Sequence, residues 1–516
     1  MEFFDNPVVP GFSPDPSVCR VGRDYYLATS SFEYAPGVPL WHSRDLMNWR
    51  RIGHALDRPS QLSFPDTLLS SEGVYAPTLR HHDGRFWLIT TVVGGAGNIL
   101  VTADSPEGPW SDPLPLALPG IDPDLAWDED GVCWCLFSAA SGIRAARIDP
   151  ATGAVLGESV PVWSGSGLQY PEGPHLYRVG EWWYLLLSEG GTERGHALSV
   201  ARARSPLGPY EPCPANPVLS HRSTDRPVQN TGHGDLIQAH DGSWWMVLLG
   251  TRPRGYTPQY HGLGRETFLT PVTWEDGWPL PRPVEERPPA GSLTPSPFPP
   301  EPARDDFDSV RLAPCWVSVR QHPATGARLD ERPGHLVLHA RGESLDRPGT
   351  VFVGRRQESP DCSARTLVDA GTGRAGLAVR LDEAHHYEVE YDAGTVRVRA
   401  RIGPLATTVA ERSLGPGNGH PGRITLRLDI RTTDVLPPMV TTVGQDFSGD
   451  ALGARAGGPD TVVLGHETAD GRFEALASLD GRYLTTEVAG GFTGRVIGMY
   501  VTRGSAAFDW FELTGS

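Results

Sequence analysis

Three carboxylates stand in short proline-bearing motifs: Asp15 between Pro14 and Pro16, Asp122 in "IDPD" (121–124), and Glu172 in "PEGPH" (171–175). Proline fixes its own φ and restricts the residue before it, so the Asp15 backbone is constrained from both sides and cannot lie within a helix. Carboxylates mounted this way suit acid–base chemistry. One protonates a leaving oxygen while another activates water or attacks carbon, which is the minimum for cleaving a glycosidic bond. The acid must keep its proton near neutral pH, which requires burial or a nearby like charge, and a third carboxylate supplies that charge. A lone Pro-Asp-Pro is a turn that caps its own backbone. Whether these three act together depends on the elements that carry them.

One pattern recurs through the first half of the chain: a short apolar strand, a polar turn with glycine, then an aromatic-rich strand. It reads "SPDPSVCRVGRDYYLATSS", "VYAPTLRHHDGRFWLITTV", "GIDPDLAWDEDGVCWCLFSAA", "YPEGPHLYRVGEWWYLLLSEG" and "GHGDLIQAHDGSWWMVLLGT". The turn glycines are Gly22, Gly84, Gly131, Gly180 and Gly242, spaced 47 to 62 residues apart. Repeats of about this length, each a small meander, predict a β-propeller, and five copies predict five blades. The first strand of each blade faces the central channel, so Asp15, Asp122 and Glu172, seven to nine residues before their turn glycines, are expected to converge there. His233 and the 75–77 stretch hold the corresponding places in the fifth and second repeats. Phe32, Trp41, Tyr75 and Tyr170 would offer apolar faces to sugar rings. Asp128, Glu129 and Asp130 read as solvated turn residues, Asp124 as a secondary candidate, and Glu189 and Glu193 as loop residues.

With 516 residues the chain exceeds one ordinary domain. No long stretch shows 3.6-residue apolar periodicity, and 60 Gly, 49 Pro and abundant aromatics fit an all-β protein. A net charge of -17 argues against a nucleic-acid groove or an anionic membrane surface. No stretch approaches the roughly 20 apolar residues of a membrane span. The start "MEFFDNPVVPG" shows no basic region followed by an apolar core, which predicts a cytoplasmic protein. Six cysteines without CxxC spacing predict neither a zinc site nor a disulfide framework.

The motifs "NPVVPGFSPDPS", "YYLATSSFEYAPGVPLWHSRDLMNW", "GVYAPTLRHHDGRFWL", "GIDPDLAWDEDG", "YPEGPHLY", "TGHGDLI" and "LGRETFLTPVTWEDGWP" span the first 280 residues. Through them the chain resembles glycoside hydrolase family 43, in particular its two-domain β-xylosidases and α-L-arabinofuranosidases. The resemblance implies an inverting exo-glycosidase that releases pentose from xylo-oligosaccharides or arabinose-substituted oligosaccharides. It makes Asp15 the general base, Glu172 the general acid and Asp122 the residue that raises the acid's pKa. Inversion implies that the Asp15 and Glu172 carboxyl groups stand about 6.5 to 9.5 Å apart, leaving room for water. Phe32, His233 and Arg265 match positions near the bound sugar or the carboxylates. Tyr75 stands where those xylosidases often carry tryptophan. No cofactor is expected to be required, although some relatives hold calcium near the histidine equivalent to His233, which leaves a metal there open.

The segment 281–308 is dense in proline, as expected of a stiff connector packed along a surface. Alternating runs such as "GHLVLHA", "TVRVRARI" and "GRITLRLDI" then predict a β-sandwich of the concanavalin or jelly-roll kind. The expected division is propeller 1–285, linker 286–304 and sandwich 305–516. By the resemblance, Phe492 in "AGGFTG" reaches the propeller's active site. The alternatives are a propeller that binds sugar without cleaving it and a retaining fructan or sucrose hydrolase of similar architecture, although the "WMNDPNG" and "RDP" motifs of the latter are absent. A homo-oligomer remains open.

Overall fold

The computed structural model describes residues 2–65, 67–255, 258–414, 422–433 and 459–515, nearly all of them in strands and turns. The chain divides into two compact units, residues 1–252 with 265–299, and residues 253–264 with 300–516.

In the first unit, five antiparallel sheets follow one another along the chain and form the five blades of a propeller. Their innermost strands are Ser17–Val21, Thr78–His82, Ile121–Trp127, Glu172–Val179 and Gln229–Gln238. Each contacts the next, and the fifth contacts the first, so the ring is closed. In every blade a turn joins the innermost strand to the second, and the turn glycine has φ between 59° and 89°. A Cβ at any of these five glycines would meet nothing within 4 Å, so it is the left-handed backbone and not crowding that requires glycine there.

The N-terminal segment straps the ring shut. Val9 and Thr267 exchange backbone hydrogen bonds, and the Asn6 side chain bonds the backbone of Leu269 and Glu285. Bonds of this kind between the chain start and blade 5 leave no open sheet edge there. Apolar side chains fill the spaces between blades: Leu27 and Trp41 of blade 1 share a core with Val247 and Leu269 of blade 5.

The Pro-rich segment is part of this unit through residue 299. Ala290 and Leu293 are buried in the core shared by blades 1 and 5, and the carbonyl of Pro288 accepts the Phe4 N–H. The linker expected at 286–304 therefore divides at 299/300. The excursion 253–264, between the second and third strands of blade 5, groups with the second unit instead.

The second unit is a β-sandwich. One sheet runs in the order Val317–Val319, Val351–Arg356, Val496–Arg503, Arg374–Asp382, His385–Asp392, Thr395–Ile402 and Leu405–Ser413. Its inner face, including Leu377, Val379, Tyr387 and Val389, packs on Leu426, Leu428, Val462 and Leu464 of the other sheet. Strict in-and-out alternation, as in Cys362–Asp369, produces these two faces. The six cysteines are free thiols, as their spacing implied.

Candidate active site

The innermost strands of blades 1, 3, 4 and 5 share one backbone device, placed just before the strand in blade 1 and within it in the other three. Asp15, Asp122, Gly173 and His233 have φ values of 55°, 54°, 55° and 43°. Left-handed backbone at residues other than glycine costs roughly 1–2 kcal/mol each, and such strain gathers at functional sites. A register shift accompanies it in three of the strands, at 121/124, 172/175 and 232/235. Ile121 pairs with Ser138 before its shift, and Glu172 pairs with Ser188 before its own, so Glu172 is equivalent to Ile121 and Gly173 to Asp122. The three carboxylates therefore do not hold equivalent strand positions: Glu172 lies one residue earlier in its strand than Asp122 does.

That offset has a chemical result. Gly173 donates its N–H to Asp122 Oδ2 at 3.1 Å, which ties the residue beside Glu172 to the Asp122 carboxyl. With no side chain, Gly173 also makes room for the His233 ring, whose Nε2 would lie 2.8 Å from a Cβ placed there. We expect Gly173→Ala to lower kcat by roughly ten- to a hundredfold, because a misplacement of about 1 Å costs this much at a reacting centre. Its thermal midpoint should fall by only a few degrees. Steady-state kinetics beside a melting curve check this, and unchanged kcat would refute it.

Asp15 is buried, 4% exposed. Its Oδ2 accepts a short hydrogen bond from Ser30, and its Oδ1 lies 3.2 Å from Arg265 Nη1 and 3.5 Å from His233 Nδ1. Burial alone would raise this carboxyl, but Arg265, His233 and the Ser30 hydroxyl together outweigh it and hold Asp15 below its ordinary value. Asp15 is therefore ionised. Asp122 is driven the other way. Burial first, then the charges of Glu172 and Asp15, push it well above the usual carboxylate range, against the Gly173 N–H and Arg265. Glu172 is the most open of the three, with 22% of its side chain exposed.

Aromatic side chains stand beside these groups. Phe32, with φ of 50°, packs on Tyr75 at 5.0 Å and on Phe12 at 5.8 Å, and the Arg265 guanidinium lies 5.4 Å from its ring centroid. Arg265 also bonds Thr192 at 2.9 Å. Burial, followed by the charges of Glu72 and Asp122, pushes the Tyr75 phenol up to about 12, so it is neutral and able to donate. His233 is 5% exposed, and its N–H bonds the Ser188 hydroxyl. Burial lowers its pKa despite Asp15 and Glu172, which keeps the ring neutral at pH 7. Tyr170, two residues before Glu172, is 66% exposed and has φ of 53°.

Among the described residues no three His, Cys, Asp or Glu side chains are grouped as a metal cage requires. Phe492 lies in the second unit and is 38% exposed.

Below the carboxylates lies a polar layer that the motifs did not announce. Arg80 of blade 2 reaches Asp124 at 2.7 Å, Asp235 at 2.9 Å, His175 Nδ1 at 2.9 Å and the Ser17 hydroxyl at 3.3 Å, one residue from each other blade. Asp124 belongs to this layer and not to the reacting one. His196 was also missed, although its Nε2 stands 3.2 Å from Glu172 Oε1. Glu189 is fully buried and accepts from the Ser166 N–H, the Ser166 hydroxyl and the Leu168 N–H, so it anchors the loop that leads to Glu172. Asp128 caps its turn through the N–H groups of Asp130 and Val132.

Residues 4–279 match the family described as "Glycosyl hydrolases family 43". Residues 304–448 and 454–514 match "Beta xylosidase C-terminal Concanavalin A-like domain". A Bacteroides ovatus protein named "Non-reducing end alpha-L-arabinofuranosidase BoGH43B" is 37% identical over 99% of this chain and 94% of its own. A Butyrivibrio fibrisolvens "Xylosidase/arabinosidase" is 37% identical over 78% of this chain and 83% of its own. The solved structure "Bacteroides ovatus Xyloglucan PUL GH43B" superposes with a TM-score of 0.88 at 36% identity and full coverage of both chains.

Proposed function

The chain belongs to glycosyl hydrolase family 43 and is a glycoside hydrolase, and from that premise we propose that it is an inverting, exo-acting pentosidase. Its substrates are β-1,4-xylosides first and α-L-arabinofuranosides second. The names of the relatives support both sugars: one is called a xylosidase/arabinosidase and another a non-reducing end α-L-arabinofuranosidase. "Non-reducing end" also supports exo-action, and the part given to Phe492 belongs to this same proposal through the resemblance alone.

The observation that carries the mechanism is the divergence of two neighbouring carboxyls. Asp15 is held ionised by the Arg265 charge and the Ser30 hydroxyl, while Asp122 is pushed toward its protonated form beside Glu172. An ionised carboxylate is the form that a general base needs, and Glu172 takes the part of the acid through the resemblance. In the proposed reaction Asp15 accepts a proton from a water whose oxygen attacks the anomeric carbon. Glu172 gives its proton to the glycosidic oxygen as the bond from carbon to that oxygen breaks. Asp122, buried beside Glu172, takes the modulating part that the resemblance gives it. Phe32 and Tyr75 flank the sugar, with Arg265 and His233 aligning the base. No step is routed through a metal ion.

Hydrolysis of nitrophenyl β-D-xylopyranoside and nitrophenyl α-L-arabinofuranoside, followed by NMR of the first-formed sugar, tests this. The expected product is the inverted anomer, at a rate indifferent to a chelator. A retained anomer, or no hydrolysis of either substrate, overturns the proposal.

A further inference from the structure

His196 has a firmly fixed place. It follows the 190–195 loop at the start of the strand Ala197–Ala203, and its side chain is fully buried. Its N–H bonds the Glu193 carbonyl and its own carbonyl accepts the Ser220 hydroxyl. The ring lies against bare backbone at Gly232, where a Cβ would come within 2.2 Å of Cε1. Nδ1 is 3.1 Å from the Asn230 carbonyl, and Asn230 holds φ of 57°. A carbonyl only accepts, so Nδ1 carries a hydrogen and the neutral ring must present a lone pair at Nε2. That lone pair is buried, has no aligned hydrogen-bond partner among the described residues, and stands 3.2 Å from Glu172 Oε1.

An imidazole whose tautomer is locked from behind and whose acceptor nitrogen is aimed at a carboxyl group is a poised partner for the protonated form of that group. Catalytic hydrogen bonds are often poorly aligned without substrate and tighten in the complex. Two other groups share this corner, Asp122 and His233, and both are influenced by the Glu172 charge. Neither offers a locked acceptor on the side His196 occupies.

We propose that His196 is a positioning residue for the general acid: before substrate binds, Nε2 accepts the one hydrogen of the protonated Glu172 carboxyl, and that hydrogen passes to the leaving oxygen when the carboxyl turns from Nε2 toward it. This deepens the assignment of Glu172 as acid and rests on it. The role concerns proton delivery, so its loss should be felt where the leaving group needs a proton and far less where it does not.

Two variants separate the ring nitrogens. His196→Asn keeps a donor near the Nδ1 position for Asn230 and removes the group facing Glu172. His196→Gln reaches toward Glu172 instead. Each is assayed on the pentosyl disaccharide that the wild type cleaves and on the corresponding pentosyl fluoride, whose leaving group needs little protonation. For His196→Asn, kcat on the disaccharide should fall roughly ten- to a hundredfold with KM little changed, and the fluoride rate should fall less than about threefold. His196→Gln should recover most of the loss. Equal losses on both substrates, or no loss on either, would overturn the proposal. Glu172→Gln on the same pair tells the two readings apart. If it fails to discriminate the substrates, the assignment of Glu172 falls; if it discriminates and His196→Asn does not, only the role of His196 falls.

Discussion

Asp15→Asn should lower kcat roughly a thousandfold and leave KM within a fewfold of wild type. General-base assistance contributes about 10²–10⁴ in rate, and Asn removes the charge that accepts the proton while preserving the shape. The amide still meets Ser30, and the aromatic pair Phe32 and Tyr75 is untouched, so substrate binding persists. A second effect follows from the electrostatics. The Asp15 charge is one of the forces that raise Asp122, so its removal should let Asp122 ionise at lower pH. Steady-state rates read the first effect, and the infrared carboxyl band of Asp122 followed across pH reads the second. A loss under tenfold would remove Asp15 from the role of base, and an Asp122 titration that does not move would break the link between the two.

The repeats and the turn glycines were legible because they are local: a left-handed turn asks for glycine wherever it occurs, and five such turns mark five blades. Asp15 and Asp122 were legible for a similar reason, each standing before a proline at a strand start. The offset of Glu172 was hidden by turn length. Blades 1 and 4 have two-residue turns, between Val21 and Asp24 and between Val179 and Trp182, whereas those of blades 3 and 5 are longer. Seven residues back from Gly22 is Asp15, but seven back from Gly180 is Gly173, so comparing the two short-turn blades would have exposed the shift. His196 and Arg80 had no such signal. Their partners come from other blades, and nothing local to "ERGHAL" or "PTLRHH" names them. The linker misled for a related reason. Proline offers no N–H, yet its carbonyl still accepts, and small apolar residues such as Ala290 fill a core as readily as a strand would.

Arg80→Met should destabilise the propeller by about 3–5 kcal/mol, the usual cost of stripping the counter-charge from a buried ion pair. Asp124 and Asp235 have fully buried side chains, and the guanidinium fork bonds both. The same fork touches Ser17 and His175, so one side chain from blade 2 ties together strands of the other four. Each of those partners sits two residues beyond Asp15, Asp122, Gly173 or His233, so the layer that Arg80 holds is directly continuous with the one that reacts. Lysine cannot replace it. A single ammonium lacks the planar fork that serves two carboxylates at once, so Arg80→Lys should recover only part of the loss. The pH dependence has a definite sign. Burial would raise Asp235, but Arg80, His175 and the Tyr177 hydroxyl outweigh it and hold it at about 2, below the ordinary 3.8. Its contribution to stability is therefore present above about pH 4 and is lost as the pH falls toward 2. Urea melts of wild type and both variants at several pH values measure all of this. In Arg80→Met the acid-sensitive increment should shrink, because the chief charge that depresses Asp235 is gone. Adding Asp235→Asn should then restore some stability, since a neutral amide at that position no longer demands a cation. If the single variant melts like wild type, the blades are held by their apolar interfaces and the Arg80 layer is a passenger.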